Sequence, residues 1–535
     1  MKKTLKICMV ALLALSACKK LDLAPTNNYT DLNYWTSADK ANLVLNTDYN
    51  QMTDVTNVFY NEALSDNAYN GRGDAQGVNS ISAGIYDPAL GRLKSEWGYH
   101  YQGIKTTNVL LENIDLVPNM DAALKARMIA EARFLRAFHY FQLATWFGDV
   151  PYFTKNISIE ESRTIARTPR AEVIANVLKE LDEIETVLPV NKQYTSKDVG
   201  RISKGAVIAL KARIQLYESN WAAVVTECEK LISKTDNGTY GLFPSYEGLF
   251  LPQNKNSVET ILGRGFVPLD VTHGEFIDFV PLSIGGRVNA MAPTQELVDD
   301  YLMANGKTIR EAGSGYDESN PYVNRDPRLG LTIVYDNYAW KKPDGTTATI
   351  KIKPGSNTLD EYKSGTSSSP TGYYIRKYYD PTSGSTFASG NDVMLIRYAD
   401  VLLMYAEAKN ELGQMTGSIW GTTVGAVRQR AGFTGAALNF NAAWSKTDMQ
   451  NIIRRERRAE FAMEGLRIFD IRRWKIAQTV LNGTVHGAKF GDSGVDNGYI
   501  IAGKRSFDPT KHYLWPVPRD ERGLNPNLSQ NPGWN

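Results

Sequence analysis

The chain has little cysteine, little histidine, no long run of one charge and, past its first residues, no long apolar run. Two of its three cysteines, Cys8 and Cys18, fall at the very start. That leaves Cys228 alone and excludes a disulfide framework. Its setting, VVTECEKLIS, reads as a helix carrying a small buried thiol. The five histidines, His100, His139, His273, His486 and His512, are scattered, with no HExxH or paired spacing to hold zinc. The balance of 60 Lys and Arg against 58 Asp and Glu leaves a net charge of +2. No broad basic face is available, which argues against a nucleic-acid binder. No Walker A or dinucleotide loop is present. After the leader no segment approaches 18 consecutive apolar residues, so nothing else would span a membrane.

Aromatics are what the chain has in plenty: 10 Trp and 28 Tyr, which suit wet binding surfaces as well as cores. At 535 residues it exceeds one minimal core and fits one large layered domain or two to three smaller ones.

The N-terminus reads as an address. Lys2, Lys3 and Lys6 precede an apolar stretch at 7–15, too short to span a bilayer, which ends in Leu15-Ser16-Ala17-Cys18. Small residues before a cysteine look like a bacterial lipobox. Residues 1–17 would be removed, Cys18 acylated, and residues 18–30 left as a polar, Pro-containing tether. Several acyl chains give stable anchoring, each buried CH₂ adding about 0.8 kcal/mol.

Helical spacing follows at 31–52, 94–115 and 120–147. The last is apolar over so wide an arc that it must be packed on more than one side; Gly148 ends it and Pro151 follows. Further helices are expected at 169–188, 204–219 and on to about 234. Short paired helices suggest tetratricopeptide-like hairpins, each leaving an apolar face bare until a neighbour stacks on it. From 236 to about 392, Gly, Pro, Asn, Ser and Tyr dominate, with short alternating pieces at 331–335 and 349–352. Helices return at 395–412, 421–431 and 447–477, and residues 481–535 read as a loop-rich tail.

Three motifs have plainer explanations than their letters suggest. Arg72-Gly73-Asp74 is a solvated turn. Gly491-Asp492-Ser493-Gly494 has no His and Asp placed to make a triad. Glu456, Glu460 and Glu464 lie on one helix face, beside Arg457, Arg458 and Arg467, and suit ion pairs. A glycosidase needs carboxylates opposed across a cleft, which one face cannot supply.

Several stretches together resemble the SusD/RagB family. They are EARFLRAFHYF from Glu131 with FGDVP from Phe147, and GRISKGA from Gly200 with Asn220-Trp221. Next come RDPRL from Arg325 and IRYADVLLMYAEA from Ile396. The last are residues 454–461 with Glu464-Gly465-Leu466-Arg467 and DIRRW from Asp470, then YLWPVP from Tyr513 and Gln530-Asn531-Pro532-Gly533. The resemblance covers nearly the whole chain after Cys18. It implies a mainly α-helical fold: a tetratricopeptide-like hairpin scaffold with a loop-rich insertion carrying short β-hairpins. Residues 31–535 would form one domain, with a helical half at 31–235, a loop-rich ligand side at 236–395 and C-terminal helices and tail at 396–535. It implies an outer-membrane lipoprotein, facing outward, that captures oligosaccharides and passes them to a SusC-like TonB-dependent transporter, without catalysis. The alternatives are a peptide-capturing, RagB-like protein and a protein-interaction scaffold. No cofactor is implied, and a structural calcium ion is left open. Arg133, Glu407 and Arg467, charged within apolar helices, are expected in buried networks.

Sugars suit flat aromatics beside Asn, Asp, Gln or Arg. Family ligand sites lie on loops, and the matching stretch here is 61–92. Asp66, Asn67, Tyr69, Asn70, Arg72 and Tyr86 have the right chemistry there, and Phe266, Tyr338 and Trp340 add to them from the middle region. Tyr86→Ala or Trp340→Ala is expected to weaken binding without unfolding. Trp97 and His139 are expected in the core. Binding loops vary across the family, so the ligand's identity does not carry over.

Overall fold

In the computed structural model, residues 34–233, 235–491 and 494–534 are described. The leader, Cys18, the tether and the Asp492-Ser493 pair lie outside them. Helix α1 (Ala38–Asn50) is capped by Ser37. Helices α2 (Gly91–Asn113) and α3 (Ala122–Phe147) form the first long pair. The α3 N-terminus is fixed by Asp121, whose carboxylate accepts the Leu124 N–H at 2.8 Å. Its C-terminus is Gly148 at φ +74°. As its wide apolar arc requires, α3 packs on α2 and on α4 (Arg170–Ile184). Next come α5 (Lys204–Tyr217) and α6 (Trp221–Ile232), then α7 (Tyr398–Glu411), which packs on α6 although more than 150 residues intervene. Helices α8 (Val424–Ala431), α9 (Lys446–Phe461) and α10 (Arg467–Arg473) complete the scaffold. The fold is mainly α, with hairpins stacked as a solenoid stacks them.

The strands are short and form two-stranded antiparallel pairs. β1 (Ala68–Tyr69) pairs with β3 (Ala292–Pro293), and β2 (Thr260–Arg264) with β8 (Val393–Arg397). β4 (Ile333–Val334) pairs with β7 (Tyr374–Ile375), β5 (Tyr338–Lys341) with β6 (Thr347–Ile350), and β9 (Gly483–Lys489) with β10 (Tyr499–Arg505). The main apolar core draws on residues from Trp35 to Trp534, and two smaller clusters lie beside it, one of them between α7, α8 and α9. The chain end is locked into the main core: Trp515 stacks on Trp146 of α3 at 3.9 Å, and the Trp515 backbone N–H donates to the Trp146 carbonyl at 2.8 Å. Cys228, His139 and Trp97 are buried as expected.

Two elements depart from the sequence reading. The helix expected over 447–477 stops at Phe461. Met463 and Gly465 take positive φ, +66° and +78°. A Cβ on Gly465 would lie 2.3 Å from the Val58 carbonyl oxygen, so only glycine fits. Its N–H donates to buried Glu62 at 2.6 Å. The second departure is the β9–β10 hairpin, inside the stretch read as loop. Its glycines and polar residues hide the alternation.

Glu456 and Glu460 on α9, and Glu464 in the turn after it, are the hub of a buried ion network, but their partners are distant in sequence and not the adjacent Arg457, Arg458 and Arg467. Glu456 meets Arg328 and Arg428; Glu460 meets Arg328, Arg397 and Arg430; Glu464 meets Arg397 and Lys377. Glu407 holds Arg473, and Arg467 holds Asp66 at 2.8 Å. Arg133, expected in a buried network, is instead a quarter exposed, and pairs with buried Glu180 at 3.1 Å and with exposed Glu183. Among the described residues no helix is long and apolar enough to cross a membrane.

Candidate functional site

The loop after β1 is shaped by its own polar side chains. Asn70 accepts the Arg72 N–H at 2.9 Å and donates to the carbonyls of Gly73 and Ala75. Asp74 accepts the N–H groups of Asn79 and Ser80 at 2.9 and 3.0 Å, and the Ser80 hydroxyl at 2.5 Å. Gly71 lets the loop seat against residue 289, since a Cβ there would lie 2.4 Å from the Asn289 carbonyl oxygen. Residues 72–74 are an exposed turn, as their letters in this setting imply.

The turn aims Arg72 across a cleft of about 620 Å³, within the roughly 300–1,000 Å³ of small-molecule sites. The far wall is residues 274–287. Buried Asp278 accepts Arg72 Nη1 at 2.5 Å and Arg287 Nε and Nη2 at 3.0 and 2.7 Å. One buried carboxylate therefore holds two guanidiniums at the lining of the cleft, Arg72 through one N–H and Arg287 through two. Glu275 accepts the Thr56 hydroxyl at 2.7 Å, and burial holds its carboxyl above the ordinary range. Burial, with Asp278 and Glu275 adding to it, pushes the Tyr60 hydroxyl up to about 12, so it stays a neutral donor and acceptor. Beneath, Phe59, Phe276 and Phe279 meet edge to face and make a rigid floor.

Of the residues singled out from sequence, the structure brings only Arg72 to this cleft. Asp66 is buried and accepts Arg467 Nε and Nη2 at 2.8 and 2.9 Å; the guanidiniums of Arg458 and Arg467 hold its carboxyl well below the usual range. Asn67, also buried, donates to Glu62 and accepts Arg458 Nε, both at 2.8 Å. Asn70 is consumed by the turn. Tyr69 is half-buried in β1, its ring against Gly503.

Tyr86 and Trp340 are moved from the loop surface into the core. Tyr86 packs on His512 and Trp534 at 5.2 and 4.7 Å. Trp340 is 0% exposed, with Arg376 over its ring at 4.6 Å. Neither has a free face for a ligand, and truncating either costs core packing, about 3–5 kcal/mol for a large aromatic. Tyr338 is half-buried, its hydroxyl donating to the Gly330 carbonyl at 2.7 Å. Phe266 lines a different cleft, of about 710 Å³, which α1 and β2 border, with the Arg264 guanidinium 4.8 Å above its ring.

Glu275, Asp278 and Arg287 were not read from sequence. They lie in a loop-rich stretch whose acids and arginines give no periodic signal. Among the described residues no group of three or more His, Cys, Asp or Glu side chains is gathered as a metal ion would need.

Residues 280–534 match the model of the SusD family, and residues 21–216 match a model described as starch-binding, associating with the outer membrane. The chain is 26% identical over 560 residues to SusD-like protein P2 of Formosa agariphila, spanning all of both chains. It is 25% identical over 494 residues to the starch-binding protein SusD of Bacteroides thetaiotaomicron, covering 86% of this chain and 82% of that one. A crystal structure of a SusD-like carbohydrate-binding protein from Bacteroides fragilis superposes with a TM-score of 0.83 at 29% identity, covering 93% of this chain and 100% of that one.

Proposed function

Since the chain belongs to the SusD-like family, we propose that it is an outer-membrane lipoprotein, anchored through Cys18 and facing outward, that captures oligosaccharides and hands them to a SusC-like TonB-dependent transporter. The observation that carries the capture role is the pinning of Arg72 and Arg287 on Asp278 beside a 620 Å³ cleft. Guanidiniums held on a carboxylate offer N–H donors to the hydroxyls of a sugar ring, and part of the cost of ordering them is met before binding. The starch-binding and carbohydrate-binding names of the relatives point the same way.

The reading is of binding without catalysis. Glu275 and Asp278 stand three residues apart on one wall. A glycosidase opposes two carboxyl groups across the scissile bond, at about 5–9.5 Å.

The test uses the soluble chain that begins after Cys18. It is titrated calorimetrically, and run in affinity gels, against starch, laminarin, xylan, mannan and a peptide pool. One glycan class binds and no product is released. Arg72→Ala weakens that binding about tenfold or more, since hydrogen bonds from charged groups are worth about 1.5–3 kcal/mol. Peptide binding with silence on every glycan would transfer the reading to peptides. Unchanged glycan affinity in Arg72→Ala would remove the cleft.

A further inference from the structure

The cleft of about 710 Å³ beside Phe266 carries more positive charge than its neighbours neutralise. Its basic lining is Lys197, Arg201, Lys255 and Arg264, and its acidic lining is Asp392. Arg201 is spent on Glu131 and Asp198, and Lys255 on Asp392 at 2.9 Å. Arg264 donates to the carbonyl of its neighbour Gly265 at 2.6 Å and, like exposed Lys197, has no carboxylate in ion-pair contact among the described residues. Burial holds the Arg264 guanidinium below its ordinary value, and Tyr99 and Asp392 offset only part of that.

A rigid apolar finger stands on the rim of the same cleft. Beyond Phe266 the chain turns back on itself: the Val267 N–H donates to the Val271 carbonyl at 2.7 Å, and the Val271 N–H returns the bond at 2.9 Å. Val267, Leu269 and Val271 are 49%, 98% and 44% exposed. Leu269, at the tip, has φ +71°, in the left-handed region that favours glycine. The root is fastened. The Lys255 ammonium donates to the carbonyls of Phe266 and Gly390, Asp392 accepts the Phe266 N–H at 2.8 Å, and a Cβ on Gly390 would lie 2.4 Å from the Pro268 nitrogen. Single exposed apolar side chains are ordinary. Three on one short turn, held in a strained and fixed shape, mark a contact surface.

A convex apolar tip beside uncompensated cations fits a bilayer. The tip enters the boundary between headgroups and acyl chains, and the cations meet phosphate. Asp270 is the one acid on the finger, against two unpaired cations. Helix α1, whose Asn46, Tyr49 and Asn50 line the cleft, is also the helix that the tether leads into. Residues 18–33 reach at most about 55 Å when extended, and α1 is only about 20 Å long, so a chain anchored at Cys18 can lay this face on the membrane.

We infer that the Leu269 finger and the cationic cleft beside it form a membrane-contact surface, whose partner is a bilayer with anionic phosphate headgroups. The inference rests on anchoring through Cys18 and is independent of what the Arg72 cleft binds. Alone the contact is weak and reversible, so it orients the anchored body and does not replace the acyl chains.

The experiment is co-sedimentation of the soluble chain after Cys18 with vesicles of phosphatidylcholine, alone or mixed with phosphatidylglycerol. The wild-type chain should bind the anionic vesicles, more weakly as salt rises, and leave the neutral ones. Leu269→Gly should weaken binding about tenfold or more, since one buried leucine side chain is lost. Glycine suits φ +71°, so its melting temperature should not fall. Lys197→Ala and Arg264→Gln should each weaken binding about fivefold. A polarity-sensitive fluorophore on Leu269→Cys should shift to the blue with anionic vesicles alone. No binding of the wild-type chain to anionic vesicles, or unchanged binding in Leu269→Gly, would overturn the surface. Equal binding to both kinds of vesicle would overturn it too, since the cations would then have no part. Each of these results leaves anchoring through Cys18 standing, because fractionation of Cys18→Ser reads that separately.

Discussion

Glu460 offers the sharpest test of how the scaffold is held. It is fully buried, and its two oxygens accept Arg397 Nη1 at 2.6 Å, Arg328 Nη1 at 2.9 Å and Arg430 Nη2. The connected network sets the cations Arg328, Arg397, Arg428, Arg430 and Lys377 against the carboxylates Asp326, Glu259, Glu456, Glu460 and Glu464. Five positive groups meet five negative ones. Glu460→Gln keeps the shape but leaves one buried cation uncompensated and turns an amide donor toward guanidinium donors. Breaking such a pair costs about 3–5 kcal/mol. With an unfolding entropy of about 2.1 cal/mol/K per residue, about 500 folded residues give about 1 kcal/mol/K, so the melting temperature falls by about 3–5 °C. The arginines hold the Glu460 carboxyl well below the usual range. Its contribution is therefore present above the unfolded carboxyl value near 4 and is lost as pH falls further. Calorimetric melts at neutral pH and in acid measure both effects. A melting temperature within about 1 °C of wild type at neutral pH, far short of that 3–5 °C, would refute the reasoning.

Asp48 has the opposite sign. Burial pushes its carboxyl up to about 8, against the Thr107 hydroxyl that donates to it at 2.5 Å. The unfolded chain ionises first, so stability drains between about pH 4 and 8. Asp48→Asn should raise the melting temperature at pH 7.5 and make no difference near pH 4; an equal effect at both would exclude this origin. Gly465→Ala should lower the melting temperature, because a strained backbone costs about 1–3 kcal/mol and the new Cβ meets the Val58 carbonyl oxygen; an unchanged melt would show that the α9–α10 turn can relax. Cys18→Ser should release the protein from the membrane fraction and abolish its acylation, and a variant still retained there would refute anchoring through Cys18.

The helices were legible because their signal is local. The 3.6-residue period of α3 and its Gly148 stop lie within one stretch of sequence. The glutamate spacing of α9 could be read as ion pairing for the same reason, although its partners Arg328, Arg397 and Arg430 come from elsewhere in the chain. The candidate cleft was legible only in part. Arg72 has the right chemistry and the right loop, but Asp278 and Arg287 join it from about 200 residues away. Trp340 shows the converse error. A tryptophan in a polar, glycine-rich stretch reads as exposed, and nothing local says that Arg376 and Tyr379 will cover it.

The segment 66–72 shows why residue type alone misplaces a site. Asp66, Asn67, Asn70 and Arg72 all carry the polar atoms that a sugar needs. What separates them is whether those atoms are already taken. Arg458 holds Asn67 and the Asp66 carbonyl, Arg505 donates to the Ala68 carbonyl at 2.6 Å, and Thr294 ties its hydroxyl to the Asp66 carbonyl at 2.7 Å. Asp66, Asn67 and Ala68 are thus spent on clamping the loop to its neighbours, α9, α10 and β10 among them, and Asn70 on shaping the turn. Only beyond Asn70 does a side chain emerge with donors to spare. Substitutions before that point remove partners from buried charges and should cost stability. Substitutions after it change the cleft and leave the clamp intact. A scaffold built this way can vary its ligand at the loop tip without disturbing its fold.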